Sequence, residues 1–368
     1  MNKSPSAALD RSLPELLETW RVRARRNSLL LVTTGVFALL CTLLALRFGA
    51  MAIDTAAVLS SLVKSIGLDV GSATTLEYEV ITAIRGPRVA RGFLVGASLS
   101  LAGAAMQGMF RIPLADPGLI GVSAGAGAGA AAMIILFDVA ALALLGPLAW
   151  LGVSIAAFAG GLGATALVYA IGTVGGQSRI AIMLLAGIAL SSVVGAFTGF
   201  LVFLADDAQL RTLTFWTLGS VGDASWSMVA VAAIGLGLSV SLLYPCRYAL
   251  NVWLLGERQV HQLGFSVRRT RRLLIAGAAL AVSLAVAVAG VVSFVGLVIP
   301  HIARLLVGSD HERLFPATLL LGGGLLVLAD LVARTIAAPA EMPLSVITAL
   351  IGGPFFLFLI VRNRASWM

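Results

Sequence analysis

Charge is what this sequence has least of. Asp, Glu, Lys and Arg make up 11% of its 368 residues, 59% are hydrophobic, and the mean hydropathy is +1.01. A soluble domain carries about 25% charged residues. Segments 92–105 and 142–172 hold no ionised side chain, and 273–308 holds only Arg304 near its end. Surfaces of that kind cannot face water, but they can face lipid.

Other shortages exclude whole classes of chemistry. The two cysteines, Cys41 and Cys246, both fall in apolar runs, so there is neither a disulfide framework nor a CxxC metal site. The only lysines are Lys3 and Lys64, and neither follows the glycine spacing of a P-loop. The chain therefore cannot bind and hydrolyse ATP in that way by itself, and no cofactor is expected on it. Buried carboxylates, the mark of a self-powered secondary transporter, are nearly missing too. Asp330 is the only acidic residue inside a predicted span, with Arg334 four positions later on the same helical face. No Ser/His/Asp grouping and no metal-ligand cluster is visible. His261, His301 and His311 read as loop or capping residues on the cytoplasmic side.

What remains is a series of apolar runs near 29–48, 89–108, 118–137, 142–172, 180–204, 227–246, 273–291, 293–307, 314–333 and 344–361. A spanning helix needs about 20 such residues. Runs such as 276–288 lack the period-2 alternation of a barrel strand, so the expected fold class is all-α, a polytopic membrane protein of about ten transmembrane helices. The 293–307 run is short and interrupted by Pro300, which predicts a helix that stops part-way or kinks.

Positive segments resist translocation. Placing the basic tail and the Arg-rich segment 247–272 in the cytoplasm puts 18 of the 25 basic residues inside and 7 outside, with both termini inside. The expected organisation is a cytoplasmic tail (1–28), one permease domain (29–362) and a short cytoplasmic end (363–368). About 28 polar residues precede the first run without a cleavage site, so no cleavable signal peptide is expected. The net charge of +8 points to lipid headgroups rather than nucleic acid, because no loop is long enough to form a basic domain.

Two further patterns stand out. Glycines at 125, 127 and 129, at 160, 161 and 163, and at 322–324 form small-residue faces suited to close helix packing. A weak echo, Leu101-Ala-Gly103 with Pro113 against Val288-Ala-Gly290 with Pro300, suggests inverted-repeat halves. The 247–272 segment reads as two short helices with a glycine break, an amphipathic element that either lies on the membrane or docks into a partner.

Taken in order, the motifs Arg85-Gly-Pro-Arg88, Gly103-Ala-Ala-Met-Gln107, Pro113-Leu-Ala-Asp-Pro117-Gly118, Gly121-Val-Ser-Ala-Gly125, Leu263-Gly264, Phe294-Val-Gly-Leu297, Glu341-Met-Pro343 and Gly353-Pro354 resemble the type II ABC importer permeases of cobalamin, ferric siderophores and haem, most of all the haem permeases. The resemblance covers about 85–362. It implies a homodimer whose pathway is lined by the helices at 180–204 and 344–361, two separate ATPase subunits carrying ATP and Mg, a periplasmic binding protein, and a place in the bacterial inner membrane. By motif match, Arg85, Arg88 and Arg334 are the residues expected to dock the binding protein. Leu255, Gly256, Glu257, Leu263 and Gly264 match the loop that couples to the ATPase. Ile112, Leu114, Gln177 and Ser178 match the cytoplasmic gate, with Ile112 replacing the family's frequent Asn. Haem is the first expected cargo, then a ferric siderophore or cobalamin; a secondary transporter and a structural subunit are the rivals.

Overall fold

The computed structural model describes residues 29–49, 51–68, 71, 73–112, 115–137, 150–174 and 177–363. The chain ends at 1–28 and 364–368, Leu114 (expected at the gate), and the first part of the predicted 142–172 run lie outside the described residues. Almost everything described is helix, with one two-stranded hairpin.

In chain order the helices are α1 (Leu29–Arg47), α2 (Thr55–Ser65), α3 (Thr75–Phe110), α4 (Val122–Leu136), α5 (Trp150–Gly172), α6 (Ile180–Leu204), α7 (Asp207–Leu218) and α8 (Trp226–Leu243). Then follow α9 (Arg247–Trp253), α10 (Glu257–Gln262), α11 (Val267–Ala289), α12 (Val295–Val307), α13 (His311–Ile336) and α14 (Leu344–Asn363). Eight helical stretches are long and apolar enough to cross a membrane, and α4 and α12 are shorter apolar helices. These match the ten expected runs. At 13 residues α12 reaches about 20 Å, too short for a bilayer core of about 30 Å, as its broken run predicts.

Helix α3 is the axis of the fold. It packs against α13, α11, α8 and α12, and most of its residues from Pro87 to Phe110 are buried. Glycine permits these approaches. A β-carbon at Gly96 would overlap the Gly322 carbonyl oxygen, and one at Gly103 would overlap that of Gly296. Gly125 and Gly129 of α4 likewise meet Gly160 and Ala156 of α5 backbone to backbone.

Three differences from the sequence reading have clear causes. Helix α3 begins at Thr75 rather than near 89, through a π-helical turn at Val80–Arg85, because its arginines face inward, Arg88 onto carboxylates and Arg85 and Arg91 toward backbone carbonyls. Helix α11 begins at Val267, capped by Ser266, so its cluster of arginines is helical rather than loop. Helices α2 and α7 are not predicted at all; they are too short and too polar to register as spans. The residue echo also occupies unlike local structures, since Gly103 is mid-helix while Gly290 terminates α11 with φ 70°. His301 lies within α12 rather than in a loop or cap.

Candidate functional site

The bundle carries distinctive chemistry at its two ends. Helix α13 joins them: Arg334 stands at one end and His311 at the other, about 35 Å apart along the helix.

At the first end, α3 places Arg85, Arg88 and Arg91 three residues apart along its inner face, and α13 adds Asp330 and Arg334 one turn apart. Arg88 holds two carboxylates at once. Its Nε and Nη2 donate to Asp330 at 2.9 and 2.8 Å, and its Nη1 and Nη2 donate to Glu341 at 2.7 and 3.0 Å. The planar guanidinium fork suits this double bidentate arrangement. Arg334 lies 3.8 Å from Asp330 through Nε and donates through Nη2 to the carbonyl of Ala45. Arg85 donates to the carbonyls of Leu46 and Arg47 at 2.7 and 2.8 Å and to that of Met51. The cluster therefore ties α1, α3, α13 and the turn before α14 together. Beside Arg88, Glu341 stays half-exposed and its carboxyl is held below the usual carboxylate range, chiefly by the Arg88 hydrogen bonds.

This geometry alters the expected part of Arg85, Arg88 and Arg334. All three are buried, with 4%, 8% and 9% of their surface exposed, and their guanidinium groups are engaged within the chain. They do not form an open basic surface. Glu341 is the one half-exposed member of the network. Asp330 has Arg88 as its main partner rather than Arg334. Arg91, absent from the expected set, is equally buried; its closest oxygen contacts are the carbonyls of Asp223 and Ser220 at 3.3 and 3.4 Å. The arginine triplet at spacing 3 was the sequence signal for it. Of the seven basic residues assigned to this side, Arg47, Lys64 and Arg211 are the exposed ones.

At the opposite end, α9 and α10 form the predicted pair of short helices. The break is at Gly256, with φ 124°, and the exit is at Gly264, with φ 85°, backbone values that favour glycine. Trp253 and Val260 are fully buried and anchor the loop, while Leu255 and Leu263 stand 70% and 62% exposed. Glu257 pairs with Arg271, whose guanidinium also lies 5.5 Å from the Trp253 ring. A second tie was not legible in the sequence. Asn251 donates to Asp310 at 2.6 Å and its carbonyl oxygen accepts from the His311 amide at 2.8 Å, joining the loop to the first turn of α13.

Of the residues expected at the gate, the described ones, Ile112, Gln177 and Ser178, lie near this end. Arg111 ends α3 in the left-handed region, with φ 57°, leaving Ile112 41% exposed. Asp116 caps Gly118 at 2.6 Å, and burial pushes its carboxyl up. Gln177 and Ser178 form strand β2 (Gln177–Ser178), paired antiparallel with β1 (Thr173–Val174); their side chains lie outside the described residues. Among the described residues no group of three or more His, Cys, Asp or Glu side chains is placed to hold a metal ion.

Residues 37–362 match the FecCD transport family. The chain belongs to that family. Over 282 residues it is 42% identical to the hemin transport system permease protein HmuU of Yersinia pestis, covering 76% of this chain and 83% of that protein. Over 287 residues it is 44% identical to the cobalamin import system permease protein BtuC of Halobacterium salinarum, covering 77% and 74%. A probable iron chelatin transport system permease protein of Helicobacter pylori is 37% identical over 285 residues, covering 77% and 83%. The fold is similar to a solved inward-facing, putative metal-chelate type ABC transporter, with TM-score 0.77 and 29% identity over 90% of this chain and 98% of that one. The chain is thus a multi-pass permease of the ABC importer class, a transport subunit like these relatives.

Proposed function

We propose that this permease imports haem, or a closely related iron chelate, from periplasm to cytoplasm across a bacterial inner membrane. Two copies enclose the pathway, two separate ATPase subunits drive it, and a binding protein delivers the cargo. The observation that carries this reading is the extended identity to a hemin permease joined to the form of α6. Only 11% of the apolar window of α6 is buried within the chain, against 83% for α3, so α6 is free to line a pathway with a second copy. The Arg-rich segment 247–272 would lie in the cytoplasm with both termini. Leu255 and Leu263, next to Gly256, Glu257 and Gly264, would seat in a groove of the ATPase, and the Asn251 tie would pass its movement to α13. Ile112, Leu114, Gln177 and Ser178 would close the inner mouth. At the outer end, a carboxylate of the binding protein would exchange with Glu341 on Arg88, beside Arg85 and Arg334.

Cobalamin is the second reading, favoured by the 44% identity to a relative named for cobalamin import. Reconstitution in vesicles with the ATPase and binding protein tests both. Haem should be taken up with ATP and resist competition by cobalamin. Uptake of cobalamin but not haem would overturn the cargo, and uptake on an ion gradient without the ATPase would overturn the driving scheme.

A further inference from the structure

Helices α5 and α11 leave an open trough of about 350 Å³ between them. Leu162, Ala166 and Tyr169 line one wall, and Arg272, Ala276 and Ala279 line the other. Each set repeats at i, i+4 and i+7, so one continuous stripe of each helix faces the gap. The short side chains of Ala166, Ala276 and Ala279 leave the gap unfilled. The single threonine on the wall, Thr165, donates its hydroxyl to the Gly161 carbonyl of its own helix at 3.0 Å. To an occupant the walls are hydrocarbon along their length.

One end is different. Arg272 donates through Nε to the Tyr169 hydroxyl at 3.3 Å, which holds the guanidinium at the mouth. Arg268 and Arg269 lie one turn earlier on the same face of α11, and all three arginines are exposed. Glu257 is the only acid in 247–272, and it pairs with Arg271. Among the described residues, none of Arg268, Arg269 and Arg272 is in an ion pair, and no carboxylate lines the trough. After Arg272 the chain carries no charge until Arg304, so this mouth sits where α11 enters the membrane, at headgroup depth.

We propose that the trough is a binding site for an anionic glycerophospholipid. One acyl chain lies between α5 and α11, and the phosphate rests on Arg272 with Arg268 and Arg269. Charge complementarity selects this occupant: Arg272 lines the slot at the headgroup level, Arg268 and Arg269 lie one turn earlier, and among the described residues none of the three is in an ion pair. The site also adjoins the 247–264 loop through the Glu257–Arg271 pair, so its occupancy would steady the loop at that same end of the bundle.

The full chain, purified in neutral detergent and offered phosphatidylglycerol or phosphatidylcholine, tests this by native mass spectrometry. Phosphatidylglycerol should be retained in preference. Arg272→Gln should weaken its retention about fivefold, the loss expected of one arginine at a lipid surface. Ala276→Phe fills the slot at an exposed position without touching any charge, and it should weaken retention comparably while elution on size exclusion stays unchanged. Equal retention of phosphatidylcholine, or full retention of phosphatidylglycerol by Ala276→Phe, would overturn the proposal. Displacement of the lipid by inorganic phosphate would reduce the site to a free-anion site. A change in oligomeric mass with Ala276→Phe would mean that a second copy covers the trough.

Discussion

Two glycines of one helix, three residues apart, offer a sharp test of the packing. A β-carbon added at Gly160 of α5 would overlap the carbonyl oxygen of Gly125 and approach the Gly125 carbonyl carbon and the Gly129 Cα at 3.1 and 3.3 Å. All three neighbours are backbone, so relief requires α4 and α5 to move apart. At Gly163 the same atom would meet nothing within 4 Å. Replacing glycine by alanine inside a helix gains up to about 1 kcal/mol in propensity at either position. Overpacking costs about 1–3 kcal/mol and applies only at Gly160. Gly163→Ala should therefore be neutral or slightly stabilising, and Gly160→Ala a net loss of about 1–2 kcal/mol. Cys41 and Cys246 are both free and buried, so a thiol-reactive fluorophore reports unfolding of the detergent-solubilised chain on heating. Gly160→Ala should melt several degrees below the wild type and Gly163→Ala should not. Equal melting of the two variants would refute the assignment of the α4–α5 contact.

Further tests address the two ends. Asp330→Ala removes the better-buried partner of Arg88 and should cost about 3–5 kcal/mol, seen as lost yield and a lower melting temperature; Arg88→Met with Asp330→Leu should recover much of it, and failure to recover would mean the pair is not the cause. The carboxyl of Glu341 titrates low when folded, so its contribution is fully present above the unfolded value near pH 4.3 and is lost as pH falls through the folded one. The melting difference between wild type and Glu341→Gln should accordingly be present at pH 7 and shrink below about pH 4; a difference that grows in acid would reverse the assignment. Arg88 and Arg334 are the charged groups that act on it. Leu255→Ser with Leu263→Ser alters two exposed side chains and should leave stability within about 0.5 kcal/mol while weakening co-purification of the ATPase; retained co-purification would remove the loop from that contact.

The sequence alone was enough for the class of fold. Ten apolar runs without strand alternation leave helices as the only spanning solution, and α6, α12 and α14 fall where their runs predict. The paired short helices around Gly256 were equally legible, because a glycine between two amphipathic turns is a local signal. Functional ends were legible as motifs, but not as geometry. Arg85, Arg88 and Arg334 read as one set, and nothing local revealed that they are buried, that Arg88 is shared by Asp330 and Glu341 across 242 and 253 residues of chain, or that Arg91 joins them.

The start of α3 was misplaced for the same reason. A hydropathy pattern scores an arginine as exposed, whereas a guanidinium with its donors matched to carboxylates and carbonyls can enter a helix interface. Hydrophobic periodicity is a property of neighbouring residues, so sequence decides it. Ion pairing, the Asn251 tie to α13 and the hydrocarbon slot under Arg272 depend on residues that only the packed helices bring within reach.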